Sequence, residues 1–293
     1  MRSAVRAPTS VDVGASRVPW QGLAVERFEG RTAAVTGAGS GIGRAIAVAL
    51  AGRGCRLALA DVDADGLAAT ADLLPATAHA STHPVDVSDP DAVDRFAVEV
   101  GERHGGCEIL VNNAGVAIAG TFADTDPADV RWIVDVNVMG VVHGVRSFLP
   151  LLRAADEAHI VNLSSMVAFV GLPGHSCYSL TKGAVRAFSE ALRGEVAGDG
   201  IGVTCVLPGA IRTSIMASAR GRQAERLAEL TRSRLAPVAM RSPDLVARRV
   251  VSGIERDRRR VLVGPDARAL DVAARLLPGR STLIGRLNAA LDR

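Results

Sequence analysis

Between residues 31 and 263, short apolar runs alternate with longer stretches in which apolar residues recur at helical spacing. The runs are Thr32–Thr36, Arg56–Ala60, Ala78–Val85, Glu108–Val111, His159–Leu163 and Gly202–Leu207. Most are apolar almost throughout rather than alternating, the pattern of strands buried on both faces. Helical stretches separate them: Gly41 to about Arg53, a start near Asp63, Pro90 to about Arg103, Pro127 to about Ala155, and one bearing Tyr178. Ser88 or Asp89 caps the third of these, with Pro90 in its first turn. This alternation predicts an α/β fold, a doubly wound parallel sheet with helices on both faces. In such sheets ligands lie outside the carboxyl ends of the strands.

Three segments are expected. Residues 1–28 hold Pro8, Gly14 and Pro19 among serines and arginines, without a continuous apolar core. They read as a flexible arm docked through Trp20, not as a signal peptide. Residues 29–264 form one Rossmann-type domain. Residues 265–293 form an extension with two amphipathic stretches, Ala267 to Leu277 and Thr282 to Leu291, separated by Pro278-Gly279. Left bare, their apolar faces would make a sizeable patch, so the tail is expected to cover a cleft or a subunit interface.

Composition adjusts this picture in a few places. Apolar residues make up 48% of the chain and aromatics only 3%, which suits parallel strands and close helix–sheet packing. A net charge of +3 gives no reason to expect a nucleic-acid partner. From Arg212 to Arg260, however, thirteen arginines stand against five acidic residues, a local +8. That stretch is either an anion-attracting mouth, for a CoA thioester, an acidic carrier protein or peripheral membrane contact, or a set of solvated helix faces with pairs such as Glu229 and Arg232. No apolar run reaches the ~18 residues of a membrane span. Cys55, Cys107, Cys177 and Cys205 are too scattered for a zinc site or a redox motif. They read as reduced side chains of a cytoplasmic protein, with no metal, and Cys177 as a pocket liner.

The candidate chemistry lies where strands end. Gly37-Ala-Gly-Ser40-Gly41-Ile42-Gly43 joins the first strand to a helix, and there glycines and free helix N–H groups suit a pyrophosphate. Asp61 ends the second strand, where it either accepts the hydroxyls of a ribose or caps the next helix. Asn112-Asn113-Ala114-Gly115 follows the fourth strand, with small residues that permit close approach. Asn137 sits in the apolar middle of a predicted helix and needs a buried partner or a water. Tyr178 is the only tyrosine and Lys182, four residues on, the only lysine. Helical spacing puts them on one face, and a nearby cation favours phenolate and lowers a tyrosine pKa.

Together these residues resemble the short-chain dehydrogenase/reductase family over about Arg31 to Val263. Thr36-Gly37-x-x-x-Gly41-x-Gly43 is similar to the family's cofactor turn, and Asn112 to Gly115 to its structural loop. Asn137, Ser165, Tyr178 and Lys182 match its catalytic tetrad. The resemblance implies that Tyr178 exchanges a proton with the substrate oxygen and Ser165 holds that oxygen. Lys182 would bind the nicotinamide ribose and Asn137 support a water. Asp86 and Val87 would flank the adenine, while Pro208, Gly209, Ile211 and Thr213 would hold the nicotinamide end. Ser40 and Val62 stand where relatives using NADP often carry a basic residue, so NAD is expected. The implied reaction interconverts a secondary alcohol and a ketone. Leu172, Phe169, Ile118 and Met216 near the expected cleft point to a lipophilic small molecule. The alternatives are an NADP-dependent 3-oxoacyl reductase and a nucleotide-sensing member without turnover. The tail differs from the short tail of many relatives, which makes a homodimer the safer expectation than a homotetramer.

Overall fold

The computed structural model describes residues 28–213, 215, 218–225, 229 and 240–277. Trp20, Met216 and the stretch from Thr282 to Leu291 lie outside these. Seven strands, β1 (Thr32–Thr36), β2 (Arg56–Asp61), β3 (Ala80–Pro84), β4 (Ile109–Asn112), β5 (Ala158–Leu163), β6 (Ile201–Pro208) and β7 (Arg260–Val263), make one parallel sheet. Their order is β3-β2-β1-β4-β5-β6-β7. The order reverses between β1 and β4, which opens a crevice at their carboxyl ends.

The helices described are α1 (Gly41–Ala51), α2 (Ala64–Ala71), α3 (Pro90–His104), α4 (Pro127–Val134), α5 (Gly140–Ala154), α6 (Ser176–Glu195), α7 (Pro243–Glu255) and α8 (Pro265–Leu276). Strand residues alternate between two apolar layers. Val35, Leu57, Leu59 and Val111 face Ile46 and Leu50 of α1 and Val250 of α7. Ala34, Ala58 and Ala60 face the other way, towards α3 and α5. Those small side chains leave room for Phe96 and Phe148, whose rings meet edge-on at 5.2 Å. Among the described residues, no helix is long and apolar enough to cross a membrane.

The long helix expected from Pro127 to Ala155 is broken in character. After α4 the chain widens into a π-helical turn over Asp135–Met139 before α5 continues. The cause is Asn137. Its Oδ1 accepts the Val116 N–H at 2.8 Å, and its Nδ2 donates to the Val116 carbonyl at 2.9 Å and Thr181 Oγ1 at 3.1 Å. The side-chain amide thus satisfies the loop after β4 as a strand would, at the expense of regular helical winding. Helix α8 follows β7 directly, and its Ala267 is fully buried.

Candidate active site

A cavity of about 740 Å³ lies along the carboxyl ends of the strands. One end is built by the turn after β1. Thr36 Oγ1 takes the N–H groups of Asn113 and Ala114 at 3.0 and 3.1 Å, and Asn113 Nδ2 donates to the carbonyls of Thr36 and Gly37 at 3.0 and 3.1 Å. These bonds lock the ends of β1 and β4 together. Gly41 holds a left-handed φ of +51°, and a Cβ at Gly43 would overlap the Gly37 carbonyl. Unlike α2, α3, α4, α7 and α8, helix α1 carries no acidic residue in its first turn. Its positive end therefore meets the cavity with no carboxylate from its own first turn, which suits an anion.

Asp61 sits at the cavity rim. Its Oδ2 accepts the Gly39 N–H at 2.8 Å and its Oδ1 the Asp63 N–H at 3.1 Å. The cap of α2 is Asp63, which accepts from Gly66 N–H at 3.0 Å, so Asp61 is not the capping residue. Arg44 turns away from the cavity: its Nε donates to Thr70 Oγ1 at 2.9 Å, and its Nη2 to the carbonyls of Gly39 and Gly66.

At the other end, Ser165, Tyr178 and Lys182 converge. Ser165 follows β5, and Tyr178 and Lys182 stand one turn apart on α6. Lys182 Nζ donates to the Leu163 carbonyl at 3.0 Å and lies 5.7 Å from the Tyr178 ring centre. Ser164 Oγ donates to the Lys182 carbonyl at 2.7 Å, tying α6 to the end of β5. Burial pushes Lys182 down to about 8. Burial also pushes the Tyr178 hydroxyl up to about 12, against the lowering effect of its hydrogen bond with Ser165. The lowering expected from the ammonium is therefore not seen in the protein alone: desolvation dominates, and what opposes it is the Ser165 hydrogen bond.

Gly37, Ser40, Gly41, Ile42, Asp61, Asp86, Val87, Asn113, Ala114, Gly115, Ser165, Tyr178, Lys182, Pro208, Gly209, Ile211 and Thr213 all line the cavity. Gly43 and Asn137 stand behind its wall, where they shape the lining from beneath. Of the residues expected in a substrate cleft, Leu172 lines the cavity. Ile118 and Cys177, the latter expected as a pocket liner, instead pack with Ile133 behind the wall, and Phe169 lies under the Arg186 guanidinium at 5.4 Å.

Other lining residues were not marked by sequence. His175 could have been found, since it stands three residues before Tyr178 at the start of the same helix. Trp132 on α4 carries no local signal of facing a cavity. Asp266 acts from outside: its Oδ2 accepts the Ala210 N–H at 2.7 Å, and a Cβ at Gly209 would overlap both its oxygens. The first turn of α8 thus props the segment after β6.

Comparison with known proteins agrees with this geometry. A family model for short chain dehydrogenases matches residues 31–224. SadH of Mycobacterium tuberculosis, which carries an oxidoreductase name, is 42% identical over 256 residues, 85% of this chain and 92% of SadH. A short chain dehydrogenase/reductase from Burkholderia phymatum, solved in complex with NAD, superimposes with a TM-score of 0.78 at 32% identity, covering 85% of this chain and 93% of that one. Levodione reductase superimposes with a TM-score of 0.72 at 27% identity, covering 83% of this chain and 99% of that one. With the strand order and the glycine turn, these matches establish that the chain belongs to the short-chain dehydrogenase/reductase family and is an oxidoreductase of that family.

Proposed function

We infer that the protein is an NAD-dependent oxidoreductase interconverting a secondary alcohol and a ketone on a lipophilic small molecule. The observation that carries this reading is one cavity with a carboxylate-rimmed, anion-accepting end and a Ser165–Tyr178–Lys182 end. A dinucleotide fits the first: the α1 terminus, with no acidic residue in its own first turn, suits its pyrophosphate, and Asp61, held rigid by two backbone N–H groups, suits a ribose diol. Gly115 and Gly209 leave the backbone bare beside the catalytic end. Bound NAD would supply a hydride acceptor there, or NADH a donor.

In this reading the chain's own residues handle the proton. Ser165 orients the substrate oxygen and stabilises charge on it, and Tyr178 gives or takes the proton. A phenol held near 12 stays protonated at neutral pH, ready to donate to a ketone. Removing that proton in the oxidising direction calls for added positive charge beside it, which Lys182 and an oxidised nicotinamide would provide together. The assembly consistent with this reading is a homo-oligomer, with exposed Leu180 on α6 and Met139 before α5 as apolar surface for it.

Cofactor choice gives the direct test. Among the described residues lining the cavity, the cationic side chain is Lys182 at the catalytic end, and none flanks Asp61. NADH should bind at least about tenfold more tightly than NADPH, because the extra phosphate would meet a carboxylate. Asp61→Ala should narrow the gap. Equal affinities for the wild type, measured by fluorescence titration, would remove the NAD assignment.

The prop from α8 gives a second test. Asp266→Ala leaves the Ala210 N–H unpaired and frees the Pro208–Ile211 segment. NADH affinity should fall about tenfold, as expected for losing one hydrogen bond to a charged group. Asp266→Asn, which keeps an acceptor, should recover most of it. Unchanged affinity in Asp266→Ala would show that this segment needs no support from the tail.

A further inference from the structure

Trp132 lines the cavity and packs in the same apolar cluster as Val116, Ile118, Cys177 and Tyr178, so its indole stands at the catalytic end. Arg220, which does not line the cavity, covers the indole from outside, with its guanidinium carbon 3.7 Å from the ring centre. Arg220 Nη1 also pairs with Asp129 at 3.1 Å, one turn earlier on the helix that bears Trp132. An arginine stacked this closely and held by a carboxylate fixes the plane of the ring.

The backbone beneath Arg220 is fixed as well. Its N–H donates to the Ala117 carbonyl at 3.1 Å, its carbonyl accepts the Ala119 N–H at 2.8 Å, and the Gln223 N–H donates to the Ala119 carbonyl at 3.0 Å. Gly221, at a φ of +101°, has no room for a Cβ against the Ala119 carbonyl. Arg222 pairs with Asp124 at 2.8 Å. The segment around Arg220 is thereby clipped to the loop after β4, and both contribute to the cavity wall, through Ser218 and Ala117.

Around the catalytic end the lining is Trp132, Met166, Leu172 and Ile215, with His175 and Ser218 as polar members. The lining carboxylates, Asp61, Asp63 and Asp86, belong to the opposite end. We propose that Trp132 is a specificity-determining residue that stacks the flat apolar part of a neutral carbonyl substrate, and that Arg220 is the positioning residue that holds its ring for the purpose. The inference rests on the redox reading above for the carbonyl and adds the shape and charge of what surrounds it. A guanidinium behind the ring leaves the cavity-facing side for an uncharged partner, and an aromatic or alicyclic ring suits that surface best.

The test compares 4-phenyl-2-butanone with 2-butanone, which shares the carbonyl end but lacks the ring. In Trp132→Ala the ratio of kcat/KM for the aryl ketone over the small one should fall about tenfold, chiefly through KM. Arg220→Ala should move the ratio in the same direction, and Arg220→Lys should restore part of it. Arg153→Ala, whose pair with Asp199 lies on other elements, should leave the ratio unchanged. A second readout needs no turnover. The sequence has two tryptophans, so Trp20→Phe makes Trp132 the sole reporter, and saturating aryl ketone should shield it from acrylamide quenching. Shielding without reduction of either ketone would sink the redox reading and keep the stacking wall. Reduction without shielding, or a ratio unmoved in Trp132→Ala, would overturn the wall and keep the redox reading. Neither reduction nor shielding would remove both.

Discussion

Tyr178→Phe is expected to lower turnover by ~10²–10⁴-fold, the range typical of losing a general acid/base. The substitution removes one oxygen from a half-buried, cavity-lining ring and leaves the packing intact, so NADH should still bind through the cavity's other end. The pH dependence carries the sharper information. A group that must donate a proton works below its pKa, and the Tyr178 hydroxyl is pushed up to about 12. Ketone reduction by the wild type should therefore show no loss from this group between pH 6 and 9. Alcohol oxidation needs the phenolate and should climb with pH across the same range. Steady-state rates in both directions would settle the assignment, and near-normal turnover in Tyr178→Phe would end it.

Lys182→Met should cost activity and change stability in a way tied to pH. Lys182 Nζ is buried, with one protein acceptor at 3.0 Å, and burial holds its pKa at about 8. The free side chain titrates near 10.4. A depressed lysine binds its proton less readily in the folded state than in the unfolded one, so the native state bears a cost that is complete below about pH 8. That cost fades as pH rises to the unfolded pKa. Methionine carries no such cost, although it leaves the Leu163 carbonyl without its donor, worth ~1–3 kcal/mol. Between pH 7 and 10.5 the stability difference should therefore shift by roughly 3 kcal/mol in the wild type's favour. Denaturant melts of both proteins at several pH values would measure it. Parallel curves would mean that Lys182 is better solvated than its surroundings indicate. Cofactor affinity should fall about tenfold in the variant, for loss of a charged hydrogen-bond donor.

The sequence was most informative where chemistry and fold impose the same residue. Parallel strands buried on both faces must be apolar along their length, so the first six could be read in order; the four-residue edge strand β7, only partly buried, was not among them. Glycines at 37, 41 and 43 and the small pair Ala114-Gly115 mark places where backbones approach a ligand or each other. What stayed hidden is which side of a wall a residue occupies. Gly43 and Asn137 belong to the site by spacing, yet both stand behind the lining, because helical and turn periodicity does not say which neighbour arrives from elsewhere in the chain. The tyrosine pKa is hidden for a related reason. A lysine four residues away is visible in sequence, whereas the desolvation that governs the phenol arises from several segments closing around it. Asp266 and Arg220 illustrate the same limit, since each acts on a segment more than forty residues away.

The π-helical turn at Asp135–Met139 also restricts how the chain can change in length. Each residue of an α-helix turns the chain by about 100°. A π-helical turn winds more slowly, so its five residues cover about the angle of four α-helical ones; deleting one would restore regular winding and leave Val141, Val145, Phe148 and Leu152 against the sheet, at the expense of the widened turn that seats Asn137. One further residue has no such turn to absorb it and would swing those side chains away from the sheet by that angle. In the exposed turn at residues 75–77 a gain or loss of residues displaces only solvent. Length variation is therefore open to the chain's loops, whereas in the middle of this helix a deletion would unseat Asn137 and an insertion would unseat α5.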